Sequence, residues 1–185
     1  MIQAPLQPSF YDRPAEQVAR DLLGARLHAE SESGLITGQI VETEAYGRPE
    51  DLASHAAFRK SGLVRYMSGP PGSIYVYTAY GMYPCLNLVA GPDGEPSAVL
   101  IRAVSLTCPE HDDRSASGPG RLGRAIGLSV EQNGALATGP PLWITPAGSD
   151  VGEIATGPRV GVRRGDHRHW RFAIAGHPAV SRPRI

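Results

Sequence analysis

Lysine is almost missing from this chain: Lys60 is alone among 18 basic residues, and the other 17 are arginines. Arginine clamps phosphate through a planar fork but forms no Schiff base, so covalent amine chemistry has little to draw on. Cysteine is equally sparse. Cys85 and Cys108 form neither a CxxC pair nor a zinc spacing, which points to reduced thiols. No apolar run approaches the ~18 residues of a membrane span. The opening Met1–Leu6 lacks a basic region followed by an apolar one, so no secretory leader is expected. A cytoplasmic protein with no membrane contact is the reading. With 22 glycines and 17 prolines, a long-helix bundle is excluded and strands joined by many turns are favoured. The 185 residues suit one domain over 1–185, with residues 1–9 as a flexible tail.

The 18 acidic residues cancel the basic ones. Their placement does not. Seven arginines (159, 163, 164, 168, 171, 182 and 184) face one acid, Asp166, after position 158, so the C-terminal segment carries +6 and the rest −6. Polyanion binding needs a basic face, not a basic total. A solvated arginine tail is the plain alternative.

Pro14 and Gly24 bracket a helical stripe of Val18, Leu22 and Leu23, which predicts a helix over 14–23. Strands are predicted over Leu35–Tyr46, Ile74–Tyr80, Tyr83–Val89 and Ala98–Val104. Further strands fall near Leu142–Thr145, Arg159–Val162 and Arg171–Ala175. Gly81 breaks the second and third strands into a hairpin with Tyr80-Gly81-Met82 near its tip. Leu122–Leu128 reads as a short helix. Without regular βαβ alternation, the fold class is α/β (α+β): a curved, mostly antiparallel sheet, flanking helices and a protruding hairpin.

Three clusters carry chemistry. Strand alternation puts Ile40, Glu42, Glu44 and Tyr46 on one face, which is a cleft wall or a solvated acidic stripe. Arg102 lies inside the apolar run Ala98–Val104 and needs a counter-charge, for which Glu42 and Glu44 are the candidates by type. Such a pair is either structural or holds a carboxylate ionised beside a water. Tyr75 and Tyr77 share a face and suit sheet packing, whereas an aromatic at a hairpin tip is not explained by burial. Aromatic platforms and wedges stack an extruded base and fill the gap it leaves.

The ordered stretches Val41–Tyr46, Pro49-Glu50-Asp51, Ser54-His55, Pro71–Tyr77, Tyr80–Tyr83, Cys85-Leu86-Asn87, Leu100–Ala103, Ser117-Gly118-Pro119 and Arg159–Val162 run through residues 10 to 180. In that order and spacing the chain resembles the alkyladenine (3-methyladenine) DNA glycosylase family. The resemblance implies a fold like the C-terminal domain of methionyl-tRNA formyltransferase and a monofunctional base-excision enzyme for damaged purines in double-stranded DNA. It implies Glu44 as the general base that activates water and Arg102 as its partner. It implies Tyr46, His55 and Tyr77 around the flipped base, and Asn87 as the side chain that disfavours normal guanine. Tyr80 matches the intercalating wedge, with Met82 and Tyr83 beside it. No metal or other cofactor is implied, and a monomer is expected.

Gly118–Arg121 is a candidate phosphate contact or a plain helix cap. His167-Arg168-His169 and His111-Asp112-Asp113 read as polar loops rather than metal ligands. The sequence departs from the family at Lys60–Tyr66, where an Arg-Asn pair is not matched, and at Gly165–Trp170, which is more basic. Two rivals stand beside the glycosylase: a non-catalytic module for distorted duplex, and a nucleoside- or RNA-directed N-glycosidase.

Overall fold

One long strand with β-branched and acidic residues alternating along it organises the molecule. The computed structural model describes residues 3–31, 34–47, 50–58, 62, 64–107, 112–162, 164 and 167–185. Expectations placed on Met1, Ile2, Pro49, Lys60, Ser61, Leu63, Cys108, His111, Arg163, Gly165 and Asp166 lie outside the described residues.

In chain order the elements are α1 (Pro8–Tyr11), α2 (Ala15–Asp21), β1 (Arg26–Ser31), β2 (Gly34–Gly47), α3 (His55–Phe58), α4 (Val64–Met67), β3 (Ile74–Ala79), β4 (Tyr83–Val89), β5 (Ser97–Leu106), α5 (Pro119–Ala125), β6 (Thr138–Gly139), β7 (Leu142–Thr145), β8 (Ile154–Gly157) and β9 (Arg171–Ile174). The strands form one curled, antiparallel half-barrel in the order β3-β4-β5-β2-β1-β7-β6, with β9 pairing both β2 and β8. This is the mixed α/β domain that the turn-rich sequence predicts.

β5 runs along one edge of β2, while β1 and β9 share the other: β1 takes Gly34–Gln39 and β9 takes Glu42–Glu44. Between those two partners the register shifts at Ile40/Glu42 and again at Glu42/Thr43. A bulge re-aims side chains. Ile40 therefore joins Val41 and Ala45 in the main apolar cluster and does not share the face of Glu42 and Glu44, as plain alternation predicts.

α2 covers this cluster with Ala15, Val18 and Ala19 buried, and the hydroxyl of Thr43 donates to the carbonyl of Ala19 at 2.7 Å. Full burial of Val18 and Leu22 contributes about 1.5–3 kcal/mol each. Within the segment expected to be a tail, the Leu6 N–H donates to the Ile144 carbonyl, and Leu6 packs on the core beside Phe10.

Two other expectations shift. The helix predicted over 122–128 occupies Pro119–Ala125, because Pro119 suits the first turn and Gly127 at φ 62° ends it. Arg159–Val162 is a turn rather than a strand. Pro158 precedes it, Gly161 takes φ 73°, and the last strand before it ends at Gly157.

α5 supports the hairpin through a close approach. A Cβ on Gly123 would lie 1.9 Å from the Pro84 carbonyl oxygen. Gly123→Ala is expected to cost about 1–3 kcal/mol by overpacking. Thermal unfolding against wild type checks this, with an unchanged midpoint as the contrary result.

Candidate active site

The bulge in β2 turns Glu42 and Glu44 toward β5, and both find Arg102. Its Nε donates to Glu42 Oε1 at 2.7 Å, and its Nη1 lies 3.3 Å from Glu44 Oε1. Burial alone would lower the Arg102 pKa; Glu44 and Glu42 outweigh it and hold the guanidinium charged. Burial would likewise raise Glu42, but Arg102, Arg171 and the N–H and hydroxyl of Ser181 keep it below the ordinary carboxylate range.

Glu44 is held from two more sides. Tyr46 donates its hydroxyl to Oε2 at 2.7 Å, and the Val160 N–H donates to Oε1 at 2.7 Å. Burial, then the Glu44 charge, pushes the Tyr46 phenol well up, so it stays a donor. Glu44 has no exposed surface, yet it forms part of the wall of an open groove of about 1010 Å³. Its cover is polar: a guanidinium, a phenol and a peptide N–H, not packed hydrocarbon. A carboxylate has roughly four acceptor sites, so three donors leave capacity for a water.

Next to this pair lies an aromatic slot. His55 and Tyr77 meet edge to face with centroids 4.5 Å apart, and the Tyr75 hydroxyl is 2.7 Å from His55 Nδ1. Tyr77 is raised by burial and remains a neutral phenol. Tyr46, His55 and Tyr77 line both the groove and a second cavity of about 500 Å³. Asn87 lines that cavity and is fixed by its amide nitrogen, which donates to the carbonyls of Tyr75 and Cys85. His55 begins α3, and the loop before it is shaped by Asp51, which accepts from Gly47 N–H and Ala53 N–H.

Asp51 exposes what the sequence reading missed. Arg159 holds it through two contacts of 2.6 and 2.7 Å, donates to the Ala45 carbonyl, and lies 4.7 Å over the Tyr46 ring. Thus Arg159 is a buried brace of the slot rather than part of a basic outer face. Arg171 is also buried, on Glu42. The exposed cations of the groove are Arg182 and Arg184 from the C-terminal segment, with Arg114 and Arg121 from the turn and helix around α5. The Gly118 N–H, at the start of that helix, is taken by the Arg102 carbonyl.

The hairpin tip stands at the rim of the groove, which Tyr80 helps to line. Tyr80 is 91% exposed and Met82 65%. Met82 N–H closes the turn onto the Ala79 carbonyl, and both Tyr80 (φ 52°) and Gly81 (φ 72°) are left-handed. Such turns favour Asn-Gly, and a non-glycine residue there costs roughly 1–2 kcal/mol. Burial therefore does not account for the tyrosine at this position. Tyr83 is set apart from the tip, half-buried with its ring against Gly120 of α5.

Among the described residues no group of His, Cys, Asp and Glu is arranged to hold a metal ion, and no helix is long and apolar enough to cross a membrane.

The aromatic slot of Tyr46, His55 and Tyr77 thus adjoins a carboxylate–guanidinium pair, and Tyr80 and exposed arginines line the same groove, the arrangement of a hydrolytic pocket on a polyanion-binding face. The sequence model described as Methylpurine-DNA glycosylase (MPG) matches residues 9–178. Proteins provisionally named 3-methyladenine DNA glycosylase are similar over nearly their whole length. The one from Frankia casuarinae is 38% identical, covering 98% of this chain and 94% of its own. That from Anaeromyxobacter dehalogenans is 43% identical, covering 96% and 86%. A third, from Methanocella arvoryzae, is 41% identical, covering 96% of each. The chain belongs to the methylpurine-DNA glycosylase family, DNA repair hydrolases that act on N-glycosyl bonds.

Proposed function

We propose that this protein is a monofunctional DNA glycosylase that extrudes a damaged purine from duplex DNA and hydrolyses its N-glycosidic bond with a water activated by Glu44. The observation that carries the reading is the Glu44 carboxylate, held by Arg102, Tyr46 and the Val160 N–H in the wall shared with the aromatic slot.

Tyr80 enters the stack at the hairpin tip while the base turns out between Tyr46, His55 and Tyr77. Extrusion costs a few kcal/mol and least at damaged or mismatched pairs, so the wedge adds selectivity. Met82 and Tyr83 support it beside the minor groove, and Arg114, Arg121, Arg182 and Arg184 take phosphates. Asn87 crowds the exocyclic amine of guanine and so disfavours the normal base. As the bond from C1′ to the purine nitrogen breaks, its electron pair leaves with the base and the sugar becomes oxocarbenium-like. Glu44 stabilises that charge, accepts a proton from the water and directs the new C1′–O bond. Cationic alkylpurines such as 3-methyladenine and 7-methylguanine leave directly. Neutral lesions such as hypoxanthine and ethenoadenine leave once protonated. The product is an abasic site in an uncut strand. A monomer acting in the cytoplasm on the cell's own DNA completes the reading. A binding module for distorted duplex would have no use for a carboxylate held this way.

The test is a duplex with one hypoxanthine or ethenoadenine, run beside alkylated genomic DNA. Wild type should give sites that break only on alkali treatment. Strand breaks before alkali would contradict the monofunctional reading. Tyr80→Ser is expected to slow excision from duplex about tenfold or more, the loss of a flipping aid worth a kcal/mol or two. Single-stranded substrate should lose less; equal losses in both would remove the wedge role.

A further inference from the structure

We infer that Glu42, Arg171 and Ser181 form a positioning unit that ties the C-terminal strap to the sheet and aims Arg102 at Glu44. This rests on Glu44 as the base but concerns residues that do not touch the substrate.

The Arg102 fork is divided. Its Nε goes to Glu42 and its Nη2 donates to Ser181 Oγ at 3.1 Å, which leaves Nη1 toward Glu44. Glu42 in turn accepts four donors: Arg102 Nε, Arg171 Nε at 2.7 Å, the Ser181 N–H at 2.7 Å and the Ser181 hydroxyl at 3.0 Å. Arg171 Nη2 reaches on to the carbonyls of Ser181 and Pro183. Three buried side chains thus pin residues 181–183, and the exposed arginines of the same strap, Arg182 and Arg184, line the groove. Four donors fill the roughly four acceptor sites of this buried carboxylate and leave it one arrangement. Satisfying Glu42 in this way fixes where the remaining arm of Arg102 points.

The unit is also a balance of charge: Glu42 and Glu44 against Arg102 and Arg171. Tyr46 on β2 and Tyr77 on β3 face Glu44 as neutral phenols, and Cys85 on β4 has its thiol raised by burial. Arg159 lies behind Tyr46, and His55 and Arg182 stand on the groove.

The experiment is single-turnover excision of hypoxanthine from duplex, with lesion-duplex affinity and thermal unfolding measured beside it, for Glu42→Gln, Arg171→Lys, Ser181→Ala and Glu44→Gln. Glu42→Gln and Ser181→Ala should each lose about tenfold in rate with affinity unchanged, the sign of a misaimed rather than missing group. Arg171→Lys keeps the charge but loses the fork that spans Glu42 and the carbonyls of the strap, and should lose rate in the same way. Wild-type rates in folded Glu42→Gln and Ser181→Ala, or parallel losses of rate and affinity, would overturn the proposal. Damage to folding alone lowers the amplitude and leaves the rate constant in place. Should Glu42→Gln fail to fold, Ser181→Ala decides. Full activity in Glu44→Gln would instead strike the base assignment, a result separate from the positioning one.

Discussion

Replacing Glu44 by glutamine is expected to slow base release from a hypoxanthine duplex by about 10²–10⁴, the range a positioned general base supplies. The substitution is close to isosteric. With its amide oxygen in the place of Oε1, glutamine still accepts the Val160 N–H, while its NH2 in the place of Oε2 donates to the Tyr46 hydroxyl, which turns from donor to acceptor, so the wall of the slot keeps its shape. It cannot take a proton from water, and it offers no negative charge to an oxocarbenium-like sugar. Binding to lesion duplex should therefore persist while chemistry fails. The loss should be smaller for a cationic alkylpurine, whose departure needs less help. The check is single-turnover excision on both lesions with affinity measured beside it; parallel loss of affinity and rate would point to a structural role.

The second large effect falls on stability. Asp51 and Arg159 are both fully buried in their side chains and meet through two short contacts. Desolvation is already spent on both charges, so removing one leaves the other uncompensated, at about 3–5 kcal/mol. Asp51→Ala is therefore expected to lower the melting midpoint by roughly 10 °C, at ~2–4 °C per kcal/mol for a chain of this size. Arg159→Ala should cost at least as much, because it also removes the stack on Tyr46 and the bond to the Ala45 carbonyl. The double variant should be less damaged than the sum of the two. Additive losses measured by thermal unfolding would show that the pair is not coupled.

This pair also marks where sequence reading stops. The hairpin was legible because its signals are local: alternating aromatics, then Gly81, then another strand. The acidic face of β2 was legible for the same reason, and Arg102 announced itself as a charge within an apolar strand. Ile40 was misplaced because the bulge that re-aims it arises where β5 and β9 meet β2, a long-range event with no local mark. Arg159 was grouped with the C-terminal cations because its partner lies 108 residues earlier. Charge counting gave +6 for the segment; burial decides which arginines are free to meet a polyanion. Of the six that the structure describes, Arg159 and Arg171 are consumed inside the fold.

For the proposed hydrolysis Glu44 must come within one water of an extruded sugar, and its carboxylate is covered. Tyr46 or Arg102 has to yield to admit the water. A crystal structure with duplex DNA carrying a cationic pyrrolidine in place of one deoxyribose addresses this directly. The account predicts one ordered water within about 3 Å of a Glu44 oxygen and of the ring atom equivalent to C1′. A pyrrolidine seated in the groove with Glu44 still sealed behind Tyr46 and Arg102, and no water between, would contradict it.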